Sequence, residues 1–178
     1  MSTIGTGNEA TVSIALKDLR LISRQFALLY FHFCKSLKDA LGDEAAFPVV
    51  QKTVFNLSID RTNRTRKKAI EQGLETNVDN FPKVNDLPSI AWSLWEPEMG
   101  GVRCPYAEVW LDYFPENQWF KRYASLYCDV IDTTNIENFT RSFSHKILKN
   151  LVWGDSSCER EYFESDDVKN GNFTFGKA

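Results

Sequence analysis

The sequence predicts an α+β fold in which two long N-terminal helices are followed by further helices and a small antiparallel sheet. Three observations predict it. Apolar residues recur three and four positions apart over 10–41, which is the spacing of one helical face. A second long helical pattern follows over 44–72. Near the end of the chain, strand-like segments at 143–153 and 158–163 flank a Gly-Asp-Ser-Ser turn, as in a β-hairpin.

Length and composition limit the class of protein. The chain has 178 residues, of which 43% are hydrophobic and 25% charged, as expected for one globular domain with its own core. We place that domain at 10–163, between flexible tails at 1–9 and 164–178. A net charge of -3 gives no electrostatic basis for binding nucleic acid or an anionic membrane. No apolar run of about 18 residues is present that could span a bilayer.

Cysteine usage favours a cytoplasmic protein with free thiols. The four cysteines lie far apart in the sequence and form no CxxC pair. The N-terminal residues are small and polar, without the charged and then apolar layout of a signal peptide. We therefore expect reduced thiols in the cytosol rather than a disulfide framework.

The two long helices carry further information. Extra apolar residues widen the stripe of the first helix, which places it at the centre of the fold or at a subunit contact and favours a homodimer over a monomer. The second helix is expected to begin with Asp43 as its N-cap and to tolerate Pro48 in its early turns. Arg61 and Arg64, three residues apart, share a face that is either solvated or directed at an anionic ligand.

Shorter elements are predicted between the long helices and the hairpin. In order, they are a helical turn at 77–84 within a polar connection, a strand at 91–96, a helix from Cys104 to about Phe114, a helix from Glu116 to about Ile131, and a helical turn at 135–139.

Cys104 is the first candidate functional residue. It precedes Pro105, which suits the first position of a helix, so Cys104 is the predicted N-cap. Its sulfur would then lie at the positive end of the helix dipole, with Arg103 as a neighbouring cation, and both would lower the thiol pKa. The alternative is a small buried cysteine without a chemical role.

Asp132 is the second candidate. Cys128 and Asp132 are four residues apart and therefore share a helical face. At the end of the predicted helix, the dipole and burial would raise the pKa of the Asp132 carboxyl and make it a proton donor. The alternative is that Asp132 caps the helical turn that follows.

Several common chemistries are excluded by the absence of their motifs. The sequence contains no GxGxxG, P-loop, HExxH or GxSxG pattern. With two histidines a multi-histidine metal site is not expected. A zinc site made by Cys104, Cys128, Cys158 and His145 is an alternative, although no two of these ligands have local spacing. We predict no metal and no cofactor.

Four motifs in register resemble the L-2-amino-thiazoline-4-carboxylic acid hydrolase family. They are Arg103-Cys-Pro-Tyr-Ala-Glu108, Leu126-Tyr-Cys-Asp-Val-Ile-Asp132, Asn138-Phe139 and Lys149-Asn-Leu-Val-Trp-Gly-Asp-Ser-Ser-Cys158, preceded by a Leu94-Trp95-Glu96 segment. The resemblance covers 10–163. It implies a cofactor-free hydrolase that opens a small cyclic substrate with a C=N bond, as the family's named activity converts 2-aminothiazoline-4-carboxylate and water into N-carbamoyl-cysteine.

The chemistry of this reaction suggests roles for individual residues. Cys104 would be the nucleophile at the amidine carbon and Asp132 the acid or base. Arg103, Lys149 or His145 would hold the carboxylate or shuttle a proton. The expected substrate-binding residues are Arg103, Tyr106, Cys128, Lys149 and Cys158. In an alternative mechanism Cys104 and Cys158 only line the pocket, and Asp132 activates water directly.

A non-catalytic function is the competing hypothesis. The order of elements is also similar to that of 4-vinyl-reductase-type and TRAPP-like domains, which bind small molecules, lipids or each other. An aromatic pocket built from Trp92, Trp95, Trp110 and Trp153 would serve either function. The charge near Cys104 distinguishes them, because an enzyme should place an Asp or His within reach of the thiol.

Overall fold

The computed structural model describes residues 5–87 and 104–177, with the side chains of the first helix described from Leu16 onwards. In chain order the elements are α1 (Gly5–Leu41), α2 (Asp43–Glu71), α3 (Phe81–Val84), α4 (Pro105–Tyr113), α5 (Phe120–Thr140), β1 (Phe143–Lys149), a 3₁₀ turn (Leu151–Trp153), β2 (Glu159–Glu164) and α6 (Asp166–Lys169). The predicted α+β class with two long N-terminal helices is confirmed. The predicted strand at 91–96 and Arg103 lie outside the described residues.

Helices α1 and α2 are joined at Gly42 and contact each other. This glycine has a φ of 79°, a value that glycine adopts without steric cost. Helix α1 begins at Gly5, earlier than predicted. Gly42, rather than Asp43, is the N-cap of α2, because the Asp43 carboxylate instead accepts a hydrogen bond from the Tyr123 hydroxyl at 2.9 Å. Pro48 lies inside α2 as predicted.

Helix α5 is longer than the sequence predicts. The pattern predicted an end near residue 131 and a separate turn at 135–139, because threonine and asparagine are poor helix formers. In the structure the helix continues to Thr140. Asn135 is one of its buried polar residues, and its Oδ1 accepts hydrogen bonds from the hydroxyls of Ser58 and Thr62 in α2 at 3.1 and 3.0 Å.

The continuity of α5 changes the expected role of Asp132. This residue lies in the middle of the helix, eight residues before its end. It therefore neither meets the negative end of the helix dipole nor caps a following turn. Both local explanations for Asp132 are wrong, because tertiary packing overrides the weak helix propensity of the residues that follow it.

The main core is built from aromatic rings of α1, α4 and α5. Tyr30, Trp110 and Tyr127 contact one another with ring centroids 5.1–5.5 Å apart. Trp110 Nε1 donates a hydrogen bond to the Ala27 carbonyl at 3.0 Å, and the Tyr30 hydroxyl donates to the Tyr123 carbonyl at 2.9 Å. These bonds satisfy the polar atoms of buried rings and fix α4 and α5 against α1.

The two strands form the predicted antiparallel hairpin, with Phe143 opposite Glu164 and His145 opposite Tyr162. The first strand ends at Lys149 rather than at residue 153, because residues 151–153 turn into a 3₁₀ helix. Asn150 caps this turn, since its side-chain oxygen accepts a hydrogen bond from the Val152 N–H at 3.1 Å.

The segment predicted as a flexible tail from residue 164 is attached to the domain in the structure. Residues 166–169 form α6. The buried Glu137 carboxylate accepts hydrogen bonds from the N–H and hydroxyl of Thr174 at 2.8 and 2.7 Å and from the Ser144 hydroxyl at 2.7 Å. A buried carboxylate needs hydrogen-bond donors, and the donors from Thr174 attach this segment to the domain. The local sequence does not indicate this contact.

Apolar side chains remain exposed along one face of α1. Ile22 and Leu29 are each 67% exposed, and Phe33 on the same face is 45% exposed. Such a face would suit a subunit contact, and the expected homodimer stays a prediction. In the described parts of the chain, none of the helices is long and apolar enough to cross a membrane.

We predict that Glu137→Gln lowers the free energy of unfolding by about 3 kcal/mol, because it removes charge-assisted hydrogen bonds and turns an amide N–H toward the Thr174 donors. Limited proteolysis should then cut 165–177 faster than in the wild type. Glu161→Gln, a change to an exposed side chain of β2, is the matched control and should alter neither urea midpoint nor cleavage. Equal behaviour of both variants would contradict the anchoring role of Glu137.

Candidate functional site

A cavity of about 660 Å³ lies between α2, α4, α5 and the hairpin. This volume is in the range of small-molecule binding sites. Five of the predicted site residues line it: Cys104, Tyr106, Cys128, Asp132 and Cys158. The prediction that Cys128 and Asp132 share a face of their helix is confirmed, since both side chains meet the cavity.

Cys104 is the N-cap of α4, as predicted, but its thiol differs from the prediction. Burial raises the pKa of the Cys104 thiol to about 11. The N–H groups of Ala107 and Tyr106 lower the pKa, and the negative charge of Asp132 raises it further. The prediction of a lowered pKa is wrong, because the loss of hydration in the cavity outweighs the helix terminus.

The other thiols of the cavity have different surroundings. Burial, together with the charges of Asp132 and Cys104, raises the pKa of the Cys128 thiol. Cys158 is exposed, and its sulfur accepts a hydrogen bond from the Leu151 N–H at 3.5 Å. All four cysteines of the chain are free, so the cavity contains three unlinked thiol groups.

Asp132 forms an ion pair with Arg160, a residue that the sequence analysis did not single out. Asp132 Oδ2 lies 2.7 Å from Nη2 and 2.8 Å from Nε of Arg160. An ionised carboxylate in such a pair accepts hydrogen bonds rather than donating a proton. The alternation of side chains along β2 could have indicated Arg160. Arg160 and Tyr162 lie on the same face of the strand, and both line the cavity.

Arg61 supplies a second guanidinium to the cavity wall. Its side chain is buried, and the Asp86 carboxylate accepts hydrogen bonds from Nε at 3.1 Å and from Nη2 at 2.9 Å. The neighbouring Arg64 is exposed and lies 3.9 Å from Asp86. The sequence pattern placed Arg61 and Arg64 on the same helix face. In the structure they differ, because Arg61 lines the cavity and Arg64 does not.

His145 and Lys149 lie away from the cavity lining. His145 is buried in β1, where burial lowers its pKa, and neither of its ring nitrogens has a hydrogen-bond partner among the described residues. Lys149 is exposed and forms an ion pair with Glu159 at 2.7 Å. The structure thus does not bring these two predicted site residues to the same cavity as Cys104.

The residues of the alternative zinc site are not brought together in the structure either. Within 5–87 and 104–177, no group of three His, Cys, Asp or Glu side chains is arranged so that it could hold a metal ion. Cys104, Cys128 and Cys158 line one cavity, but they do not converge on a common point with His145. Within the described lining, the cavity therefore presents thiols, the Asp132 carboxylate and the guanidinium groups of Arg61 and Arg160 to a ligand.

We predict that alkylation of Cys104 by iodoacetamide is slow at neutral pH, because a thiol of pKa about 11 is only about one part in ten thousand thiolate at pH 7. The rate, followed by peptide mass spectrometry, should rise about tenfold per pH unit from pH 7 to 10. In the urea-unfolded control the midpoint should fall to about 8.5. A native midpoint at or below that of the unfolded chain would contradict the effect of burial.

Comparison of the chain with protein-family models, with curated proteins and with solved structures gives no match. The resemblance to the thiazoline carboxylate hydrolases therefore stays a prediction. Of its motifs, the one around Cys104 begins at Arg103, outside the described residues, whereas those around Cys128 and Cys158 lie in elements that meet at the cavity. Functional inference for this chain depends on the geometry of that cavity.

Proposed function

We propose that the protein is a hydrolase that opens a small cyclic amidine bearing a carboxylate, of the 2-aminothiazoline-4-carboxylate type. One observation supports this most: Cys104 and Asp132 line the same cavity, and the charge of Asp132 acts on the Cys104 thiol. A nucleophile and a proton acceptor that line the same cavity are what attack on an amidine carbon requires.

Cys104 is the proposed nucleophile. Its raised pKa means that the thiol keeps its proton in the ligand-free cavity and must lose it as the attack begins. The Asp132 carboxylate can accept that proton. A protonated amidine in the cavity would assist, because a nearby positive charge favours the thiolate.

The proposed reaction conserves atoms and electrons. The Cys104 sulfur bonds to the amidine carbon, and the ring bond between that carbon and the substrate sulfur breaks. The substrate sulfur keeps the electron pair and takes the proton that left Cys104. Water then adds to the same carbon, the bond to Cys104 breaks, and the products are N-carbamoyl-cysteine and the original Cys104 thiol.

Arg61 is the proposed partner of the substrate carboxylate. Asp86 occupies Nε and Nη2 of this side chain, whereas Nη1 makes no hydrogen bond within the described ranges. Arg61 and Asp132 lie on neighbouring helices, and Asn135, one helical turn after Asp132, bonds to Thr62 beside Arg61. The cavity can therefore hold an anionic group and a cationic amidine at the same time.

The ligand-binding alternative is less well supported. Tyr106, Trp110 and Tyr127 line the cavity and would suit an apolar ligand, but a carboxylate acting on the thiol is the feature expected of an enzyme. Trp153 is half-exposed, and Trp92 and Trp95 lie outside the described residues. Because all four cysteines are free thiols, we place the proposed reaction in the reducing cytoplasm.

Two substitutions test the proposed roles. Cys104→Ser and Asp132→Asn should each reduce turnover of 2-aminothiazoline-4-carboxylate by roughly 10²-fold or more, because nucleophile and base are lost in turn. Lys146→Gln, a change at an exposed residue outside the cavity lining, is the control and should retain turnover. Product formation is measured by mass spectrometry, and the melting temperature of each variant shows whether it folds.

The outcomes separate the mechanisms. Full turnover by Cys104→Ser with loss in Asp132→Asn would replace covalent catalysis by direct activation of water. A covalent adduct on Cys104, trapped by acid quenching and seen as an intact-mass increase, is expected if the thiol attacks. No turnover of this substrate or of related cyclic amidines by the wild type would contradict the proposed function.

A further inference from the structure

The cavity is larger than the thiazoline of the proposed reaction requires. Its volume is about 660 Å³, and cavities of about 300–1,000 Å³ enclose drug-sized ligands. The 2-aminothiazoline-4-carboxylate molecule has only a five-membered ring, an amino group and a carboxylate. A ligand of that size would leave a large part of the cavity to water. The chemistry of the remaining walls therefore bears on what else the substrate carries.

Helix α5 gives the length of the cavity. Cys128, Asp132 and Ile136 follow one another at intervals of four residues, which places them along one helical face. All three line the cavity. At about 1.5 Å of rise per residue, the span from Cys128 to Ile136 is about 12 Å, with Asp132 midway. The cavity therefore extends along α5 from one end at Cys128 to another at Ile136.

The proposed nucleophile lies at the Cys128 end. Burial raises the pKa of the Cys128 thiol, and the charges of Asp132 and Cys104 raise it further. Burial also raises the pKa of the Cys104 thiol, and Cys158 adds to that increase. The three thiols are therefore neighbours, and we call this part of the cavity the thiol end. The carbon that Cys104 attacks must lie there.

The Ile136 end has apolar walls. Phe81 lines the cavity, and its ring packs against that of Phe139, one turn after Ile136, with centroids 5.2 Å apart. Leu87 also lines the cavity and directly follows the residue that pairs with Arg61. The side chains of Phe81, Leu87 and Ile136, which we call the apolar end, offer water no hydrogen-bond partner. An apolar group of a ligand would be more stable there.

Arg61 lies between the thiol end and the apolar end. Burial raises the pKa of the Tyr106 phenol, the charge of Arg61 lowers it, and the charge of Cys104 raises it. Tyr106, which lines the cavity, is therefore near both charges. The hydroxyl of Thr62, next to Arg61, donates a hydrogen bond to Asn135 of α5 at 3.0 Å, beside the apolar end. A carboxylate bound by Arg61 would leave the apolar end free.

We propose that the substrate is a cyclic amidine carboxylate with an apolar substituent, about the size of a phenyl ring, on the ring carbon next to sulfur. The inference rests on the proposed function and specifies its substrate class. With the amidine carbon at Cys104 and the carboxylate at Arg61, the substituent extends along α5 toward the apolar end. The distance along the helix from Asp132 to Ile136, about 6 Å, fits a phenyl ring.

The substituent does not change the bonds that form and break. The ring bond between the amidine carbon and the substrate sulfur breaks as before, and water releases the carbamoyl group from Cys104. The product is an N-carbamoyl-cysteine that carries the apolar group on its β-carbon. The substituent contributes binding energy only, so the apolar end determines specificity and takes no part in the chemical steps.

Two substrates test the inference on the wild-type protein. The kcat/KM for 2-amino-5-phenyl-thiazoline-4-carboxylate should exceed that for 2-aminothiazoline-4-carboxylate by about 10–100-fold, because the phenyl group is buried against apolar side chains. Hydrolysis of the unsubstituted compound with an equal or higher kcat/KM would overturn the inference and leave the proposed function standing.

A substitution tests where the substituent binds. Leu87→Trp fills the apolar end, so the ratio of the two kcat/KM values should fall about tenfold or more. Leu148→Trp, the same change at an exposed residue of β1 outside the described lining, is the control and should keep the wild-type ratio. A wild-type ratio in a folded Leu87→Trp protein would overturn the assignment of the apolar end.

Binding distinguishes the two proposals if neither thiazoline is hydrolysed. Isothermal titration compares N-carbamoyl-cysteine with its β-phenyl derivative, and we expect the derivative to bind the wild-type protein about tenfold or more tightly than the parent compound. Tighter binding of the derivative without hydrolysis would support the apolar end and contradict the proposed function. Equal affinities without hydrolysis would overturn both.

Discussion

The packing of α5 against α2 is the interaction on which the site depends. The amide oxygen of Asn135 in α5 accepts hydrogen bonds from Ser58 and Thr62 of α2, and a buried acceptor without such partners would cost about 1–3 kcal/mol. The same contact brings Arg61, next to Thr62, to the cavity that Asp132 lines one turn before Asn135. One buried polar contact therefore positions a guanidinium and a carboxylate around the same space.

Burial controls the chemistry of that space. Cys104 occupies the helix-capping position that normally favours a thiolate, yet its pKa is raised because the cavity removes water from the sulfur. A thiol held neutral in this way does not react indiscriminately. In the proposed reaction it becomes a nucleophile only with a proton acceptor and a ligand whose positive charge replaces the lost hydration.

The hairpin completes the site from the opposite side. Its second strand carries Arg160, which pairs with Asp132 of α5, and the turn between the strands carries Asn150, which lines the cavity. Glu137 connects this arrangement to the C-terminal segment through Ser144 and Thr174. Helix α5 thus contributes both a residue that lines the cavity and a residue that anchors the elements around it.

The sequence by itself determined the α+β class, the long helices, the start of α4 at Cys104 and the shared face of Cys128 and Asp132. These features depend on side-chain spacing and capping over one or two turns, which local sequence expresses. Only the tertiary structure decided that α5 continues past Asp132, that Arg160 lies beside it, and that burial raises the pKa of Cys104. Partners distant in sequence and the loss of hydration depend on which elements pack together, and no local pattern records that.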